Sequence, residues 1–185
     1  MKVIVASFGN CGSTEVFGAI VRATKPNHQS FVRYHADLPS EGCFKTHCWA
    51  PANLDPTAHY IYVYGDPVLS AIAANQRHAE TFQVLHYRNM GGNYDLRADW
   101  PHEDTLHIRQ NYESWAKHFG EPNVLPLGYV DVFLGDGAEK LSKFLGVEIE
   151  FRPTVPRATV FNPENEDHQA ARFTYSGIIP EDWSI

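Results

Sequence analysis

Two glycines and two hydroxyl residues stand close together near the start of the chain, in the segment Gly9-Asn10-Cys11-Gly12-Ser13-Thr14. Glycines let the backbone turn tightly, so that successive main-chain N–H groups converge on one point. A helix that begins at Ser13 or Thr14 directs its positive end toward the same point. This segment, called the glycine loop below, therefore predicts a site for an anion such as a phosphate.

The residues on either side of the glycine loop predict a strand before it and a helix after it. Val3 to Ala6 are β-formers, and apolar residues recur at helical spacing from Val16. We expect Ser13 or Thr14 to act as the N-cap. The loop is not a Walker A motif, because Ser13 stands where that motif has lysine. An ordinary strand-to-helix turn, with glycines that serve only geometry, is the alternative interpretation.

A lysine and a histidine two residues apart form a second candidate for chemistry. Lys45 and His47 lie in the short run Cys43 to Pro51, which predicts extended chain. Residues i and i+2 of a strand share one face, so the two side chains are expected to point the same way. Histidine titrates near neutral pH and serves as a general base, and lysine supplies positive charge. The alternative for His47 is a strand histidine that is hydrogen-bonded to neighbouring backbone.

Composition limits the classes of function. The chain has 185 residues, 43% apolar and 20% charged, with a formal net charge of -7. These are globular values, and the negative charge argues against nucleic acid as a partner. The three cysteines and ten histidines show no metal-ligand spacing, so no metal site is predicted. No apolar run reaches the length of a membrane span, and we expect a cytoplasmic protein that does not bind membranes. The oligomeric state is not predicted.

The remaining elements alternate between strands and helices. His59 to Tyr64 predicts a central strand, and Asn123 to Leu127 predicts a strand at an edge or bulge because of Pro126. Phe31 to His35 predicts a further edge-like strand, and Thr81 to Pro101 a long loop of the kind that often covers a site.

The predicted helices each carry start or stop signals. They are Val68–His78 with Asp66 as cap and Pro67 in the first turn, a helix that Asp104 caps and Gly120 ends, and a helix from about Asp136 to Leu145 that Gly146 stops. In the middle helix an apolar stripe is expected to face the core: Ile108, Tyr112, Trp115 and Phe119.

These elements predict an α/β fold, a single-domain three-layer structure with a mainly parallel central sheet. The domain is expected to span residues 1–150. Residues 151–185, which are proline-rich and polar from Pro153 onward, are expected to form an extended C-terminal tail that wraps the same domain or is partly disordered.

Four segments, in order, resemble the sulfotransferases that use 3′-phosphoadenosine-5′-phosphosulfate (PAPS). The glycine loop stands where that family has a Pro-Lys-Ser-Gly-Thr-Thr-like loop, and Lys45-Thr46-His47 reproduces a Lys-Thr-His run. Residues 61–67 are similar to the strand that ends in Arg-Asp/Asn-Pro. The helix of Trp115, the segments at 123–125 and 129–131, and the run ending Phe144-Leu145-Gly146 are similar to the closing pattern of the family. The chain is identified as a divergent member with a P-loop/sulfotransferase-like fold.

The resemblance implies roles for particular residues. PAPS would be the co-substrate, without a metal, and its 5′-phosphosulfate would be bound by the glycine loop, that is by Gly9, Asn10, Cys11, Gly12, Ser13 and Thr14. His47 would be the catalytic base for a hydroxyl or amine of a small-molecule acceptor. Lys45 and Asn10 would support the transfer, and Tyr129 and Ser70 would contact the nucleotide, although core packing and a plain helix serine are their alternatives.

The departures from the family pattern keep two other functions open. Asn10 replaces the loop lysine, Gly65 replaces the arginine after the central strand, and the serine expected eight residues later falls on Ala73 instead of Ser70. One alternative is a catalytically silent sulfotransferase-like protein that binds a nucleotide or a partner. The other is a P-loop-type kinase, for which Asp66 stands at a plausible strand end but the loop lysine is missing. The acceptor itself is not predicted.

Overall fold

A five-stranded, entirely parallel sheet forms the centre of the computed structural model, which describes residues 1–29, 32, 38–76, 100–152 and 159–179. The strands lie in the order β2-β3-β1-β4-β5. Their bounds are β1 Lys2–Ser7, β2 His28–Gln29, β3 Gly42–Thr46, β4 Ala58–Tyr64 and β5 Val124–Gly128. The predicted α/β fold with a parallel sheet is confirmed.

Six helices connect or cover the strands in the part of the chain that the structure describes. They are α1 Ser13–Thr24, α2 Pro67–Gln76, α3 Ile108–Ala116, α4 Tyr129–Phe133, α5 Gly137–Leu145 and α6 Glu166–Tyr175. Two of them lie on opposite faces of β4. His59 contacts Phe144 of α5, whereas the next residue, Tyr60, contacts Trp115 of α3. Because successive strand residues point to opposite faces, this pattern gives helix, sheet and helix layers.

Much of the core lies around β1 and β4, two neighbouring inner strands of the sheet. All six residues of β1 are buried, as expected for a parallel strand covered on both faces. Trp115 is fully buried and stacks on Tyr62, with ring centroids 5.6 Å apart and an interplanar angle of 23°. The predicted apolar stripe of this helix therefore faces the core, with Phe119 partly buried beside it.

The edge position predicted for the strand with Pro126 is confirmed. β5 pairs only with β4 among the described strands, and Pro126 lies opposite Tyr62 in the register. Proline lacks an N–H group and so is tolerated at the edge of a sheet, where one side of the strand has no partner strand.

Two of the predicted helix caps are made by side chains. Asp66 Oδ1 accepts a hydrogen bond from the Leu69 amide at 3.0 Å, and the Asp104 carboxylate accepts bonds from the amides of Ile108 and Arg109. Gly146 has a φ of 68° and ends α5 as predicted. The N-cap prediction for α1 was wrong. Gly12, with a φ of 91°, takes that position, and no side chain caps the helix there.

Three other expectations have a different outcome. Most of the predicted strand at residues 31–35 and nearly all of the loop from Thr81 lie outside the described residues, as do the last residues of the helix predicted to reach His78. Residues 166–175, predicted as extended tail, instead form α6, which packs against α2 and buries Ala171 and Tyr175. Asn165 caps this helix by accepting from the His168 amide at 3.0 Å, a signal present in the sequence. The domain division at residue 150 stays a prediction.

Over the described residues, none of the helices combines the length and the apolar character needed to cross a membrane.

Candidate functional site

The carboxyl ends of four parallel strands bring the predicted site residues to one edge of the sheet. The glycine loop follows β1, His47 follows β3, Gly65 follows β4 and Tyr129 follows β5. The chain leaves β1 toward one side of the sheet, to β2 and β3, and later continues on the other side with β4. Ligands of open α/β sheets bind at such a reversal, outside the carboxyl ends of the strands.

The glycine loop has the backbone conformation of an anion cradle. Gly9, Asn10 and Gly12 all have positive φ, at 97°, 53° and 91°. The loop leads directly into α1, whose first N–H groups have no acceptor inside the helix. The carboxylate of Glu15 is directed away from the cradle, because it bonds to Arg22 and to the amide of Arg152. This end of α1 therefore keeps its positive character.

Lys45 places a cation at the start of α1. Its side chain is buried, with 4% exposure, and Nζ donates to Thr14 Oγ1 at 2.7 Å. Burial lowers the pKa of Lys45 to about 8, with the nearby Cys11 acting weakly in the opposite direction. Most of the side chain's charge is therefore retained at neutral pH. The charge that Asn10 lacks is thus supplied to the same loop from the neighbouring strand.

His47 lies beside the cradle, and hydrogen bonds to Ser7 hold its imidazole ring in place. It is buried, with 1% exposure, and Nδ1 lies 2.8 Å from the carbonyl oxygen of Ser7 and 3.0 Å from the Ser7 hydroxyl. A carbonyl oxygen can only accept, so Nδ1 carries the proton and Nε2 carries the lone pair. The ring is consequently in the tautomer that a general base acting through Nε2 requires.

Helix α3 fixes the backbone that carries His47, and the sequence did not predict this contact. Asn111 is fully buried, accepts from the Tyr62 hydroxyl at 2.9 Å and donates to the His47 carbonyl at 2.9 Å. Trp115 Nε1 donates to the Cys48 carbonyl at 3.1 Å. The sequence does contain a signal for this contact, because the side-chain amide of Asn111 is next to Tyr112 of the apolar stripe. A polar side chain that is buried there needs a hydrogen-bond partner.

Gly65, which stands where the family pattern has arginine, lies close to two neighbouring side chains. A Cβ added at Gly65 would lie 3.2 Å from the Cβ of Cys11 and 3.2 Å from the Cβ of Tyr129. Cys11 is itself anchored, since its Sγ donates to the Val63 carbonyl at 3.1 Å. Even a Cβ at residue 65 would therefore require Cys11 and Tyr129 to shift slightly, so the space beside the loop suits glycine.

Tyr129 reaches the glycine loop together with Phe133, which the sequence analysis did not select. The two rings are 4.3 Å apart, and a Cβ added at Gly12 would lie 2.6 Å from Phe133 Cε2. Asp131 fastens this short helix by accepting from the Gly128 amide and from Lys140, each at 2.8 Å. An aromatic pair therefore covers the glycine at the start of α1.

Ser70 and Asn10 lie next to each other. Asn10 Nδ2 is 3.5 Å from the Ser70 carbonyl, and Ser70 Oγ is 3.5 Å from the Asn10 carbonyl. Both contacts are at the upper limit for a hydrogen bond. The structure thus brings together every residue that the sequence analysis assigned to the site.

The described part of the chain offers no group of metal ligands at this edge. Within the described ranges, no three His, Cys, Asp or Glu side chains are grouped as the ligands of a metal ion would be. Asp66 is the acidic residue that a kinase would need at this strand end. Its Oδ1 instead caps α2 by accepting a hydrogen bond from the Leu69 amide.

Comparison with known proteins supports the fold. No protein-family model matches the sequence. Mouse sulfotransferase SULT7A1, solved with PAP, has a similar structure, with a TM-score of 0.53 and 16% identity over 92% of this chain and 63% of that chain. Retinol dehydratase, solved with retinol and PAP, gives a TM-score of 0.50 and 16% identity over 78% of this chain and 59% of that chain. The chain therefore has a sulfotransferase-like fold, and it spans about three fifths of the length of these structures.

A local similarity points to a different group of enzymes. An 82-residue stretch, 44% of this chain, is 35% identical to glutathione synthetase from Escherichia coli strains O157:H7 and K12. The same match covers 24% of each of those enzymes. A similarity of this extent assigns no family.

Proposed function

We propose that this protein is a sulfotransferase, which binds PAPS at the glycine loop and transfers the sulfuryl group to a hydroxyl or amine of a small acceptor. The observation that carries the proposal is the placement of Lys45 Nζ on Thr14 Oγ1, with His47 on the same side of the loop. A cation, a helix N-terminus and a histidine of fixed tautomer then lie within one cradle. Sulfuryl transfer, like phosphoryl transfer, depends mainly on such positioning and charge stabilisation.

The side chains that line the cradle fit the 5′-phosphosulfate end of PAPS. PAPS supplies an activated sulfuryl group, which moves to the acceptor atom and leaves adenosine 3′,5′-bisphosphate (PAP). The P-loop-like backbone from Gly9 to Thr14 binds the anion, and Lys45 stabilises negative charge on it. Asn10 contributes a neutral hydrogen bond in place of a charged one. In this proposal Tyr129 and Ser70 contact the nucleotide.

His47 acts as the general base in this proposal. Nδ1 is committed to Ser7, so Nε2 takes the proton that leaves the acceptor hydroxyl or amine. General-base catalysis contributes a factor of about 10²–10⁴, so in this proposal His47 provides a large part of the rate.

Two features bear on the alternatives. A silent nucleotide-binding protein is favoured by Asn10 and Gly65, which leave the described part of the site without the loop lysine and the arginine of the family pattern. Lys45 offsets the first of these losses. A kinase is less well supported, since Asp66 is engaged in capping α2. The three cysteines all lie among the described residues and are not joined by a disulfide bond, which is consistent with the proposed cytoplasmic location.

Replacement of Lys45 by methionine tests the cradle. We expect Lys45→Met to weaken PAP binding by a factor of about 10–100, because a hydrogen bond from a charged group contributes about 1.5–3 kcal/mol. In the native protein, affinity should fall as pH rises through about 8, where the Lys45 ammonium loses its proton. Isothermal titration calorimetry with PAP at pH 7, 8 and 9 measures both effects.

The matched control is Lys143→Met, which removes an exposed lysine from α5. Lys143→Met should bind PAP as the native protein does and keep its pH dependence, whereas Lys45→Met should lose the decline above pH 8. Equal affinities for PAP in the native protein and Lys45→Met would remove the main support for the proposal.

A further inference from the structure

The hydroxyl of Ser7 is the hub of a short hydrogen-bonded chain between His47 and the glycine loop. Ser7 is the last residue of β1 and is fully buried. Its Oγ lies 3.0 Å from His47 Nδ1, 3.0 Å from Ser13 Oγ and 3.3 Å from the Gly9 amide. Ser13 is the first residue of α1 and is also buried. One side chain thus contacts both the base and the anion cradle.

Donor and acceptor capacity orients this chain. The His47 tautomer makes Nδ1–H a donor, which the Ser7 carbonyl and the Ser7 hydroxyl share as acceptors. The Gly9 amide is a second donor to Ser7 Oγ. A hydroxyl has two acceptor sites and one proton, so the Ser7 proton goes to Ser13 Oγ. Ser13 then has its own hydroxyl proton for a group bound in the loop.

We infer that Ser7 is a positioning residue that couples protonation of His47 to anion binding in the glycine loop. The inference deepens the proposed function and rests on it only in taking the loop as the anion site. An imidazolium is a stronger donor at Nδ1 than neutral imidazole, and each bond of a chain polarises the next. Protonated His47 therefore strengthens the donation from Ser13 to the anion. By linkage, a bound anion favours protonated His47 to the same extent.

The coupling has a consequence for sulfuryl transfer. His47 becomes an imidazolium when it takes the proton of the acceptor, and at that moment negative charge lies on the group held by the loop. Ser7 connects these two charges through Ser13. The side chain thus stabilises the protonated base without touching the reacting atoms.

Other titratable groups lie on the elements around His47, and their protonation also bears on how anion binding depends on pH. Lys45 has a pKa of about 8 and stays protonated below pH 7. Burial raises the pKa of Tyr62 well above its usual value. Glu15 is paired with Arg22, and Glu113 of α3 is exposed. The described residues of the packed elements also include the ionisable side chains of Cys11, Cys48, Tyr112 and His107. His107, at the start of α3, carries the same ionisable group as His47, so it is the residue that needs a control.

Inorganic sulfate is the probe for the experiment, since it keeps its two negative charges throughout the pH range used. Sulfate affinity is measured by NMR chemical-shift titration at pH 5.5 and 7.0. The native protein should bind sulfate about fivefold or more tightly at pH 5.5, in line with couplings of at least about 1 kcal/mol. Ser7→Ala and His47→Gln should bind it equally at both pH values, and Ser7→Thr should restore the difference. His107→Asn, which keeps a residue that tolerates positive φ, should behave as the native protein does.

The deciding quantity is the ratio of the sulfate affinities at pH 5.5 and pH 7.0. A ratio in the native protein that is no larger than the ratio in Ser7→Ala would overturn the coupling. If Ser7→Ala does not fold, the comparison is made with His47→Gln. A second readout needs no variant: sulfate should move the midpoint of the His47 titration in the native protein to higher pH, and an unchanged midpoint would also overturn it. The proposed function fails separately. If the sulfate results are as expected but PAP does not bind, the coupling stands and the sulfotransferase proposal does not.

Discussion

Replacement of His47 by glutamine is expected to lower the rate of sulfuryl transfer by a factor of about 10²–10⁴, the usual contribution of a general base. Glutamine is similar in size and can still donate to the Ser7 carbonyl, which His47 Nδ1 contacts at 2.8 Å. It cannot take a proton from the acceptor. The affinity for PAP should therefore change by only a few fold near neutral pH while the rate collapses.

The measurement is the rate of PAP formation from PAPS in the presence of a panel of phenols, primary alcohols including retinol, and amines. His28→Gln is the control, because His28 is exposed on β2 and lies opposite Cys43, near the start of β3, whereas His47 follows the end of that strand. It should transfer at the native rate. A native rate in His47→Gln would show that the base is another group, and a native protein that binds PAP but transfers to no acceptor would favour the silent scaffold.

Replacement of Trp115 by alanine is expected to cost about 3–5 kcal/mol of unfolding free energy, the range for removing a fully buried large aromatic side chain. The indole is at 0% exposure, packs on Tyr60 and Tyr62, and donates to the Cys48 carbonyl. Because Cys48 follows His47, the variant should also loosen the segment that carries the base. Urea denaturation measures the loss of stability.

Phe173→Ala provides a matched aromatic control. Phe173 lies on α6 with 90% of its surface exposed, so its removal should change the unfolding free energy by no more than about 0.5 kcal/mol. Similar losses in the two variants would contradict the description of α3 as the helix that anchors the core to the site.

The strongest local patterns predicted the elements around the site. The β-branched and aromatic residues of β1 and β4 indicated buried strands, and the glycines at 9 and 12 indicated a tight turn into a helix. Pro126 even indicated an edge strand. These predictions succeeded because the signal lies in neighbouring residues, where backbone preference and hydrophobic period act together.

What the sequence did not predict depends on residues far apart in the chain. Asn111 donates to a carbonyl that lies 64 positions away in the chain. Ser7 and His47 are hydrogen-bonded although 40 positions separate them. Phe133 covers Gly12, which is also distant from it in the sequence. No local pattern specifies such partners, because they follow from how the strands and helices pack. The same holds for Gly65, whose missing side chain is explained by Cys11 and Tyr129. The sequence analysis did not predict the helix at residues 166–175, because the prolines and polar residues around it favoured an extended tail.

Thermal unfolding with PAP, and in parallel with ATP–Mg²⁺, tests whether the glycine loop is a PAPS site. A ligand at a hundredfold its dissociation constant stabilises a protein by about 2.7 kcal/mol, which corresponds to about 5–10 °C for a chain of this size. We expect such a rise with PAP, no rise with ATP–Mg²⁺, and a much smaller rise with PAP in Lys45→Met. A rise with ATP–Mg²⁺ alone would indicate a kinase or an ATP-dependent enzyme. No rise with either nucleotide would contradict the assignment of the glycine loop as a PAPS site.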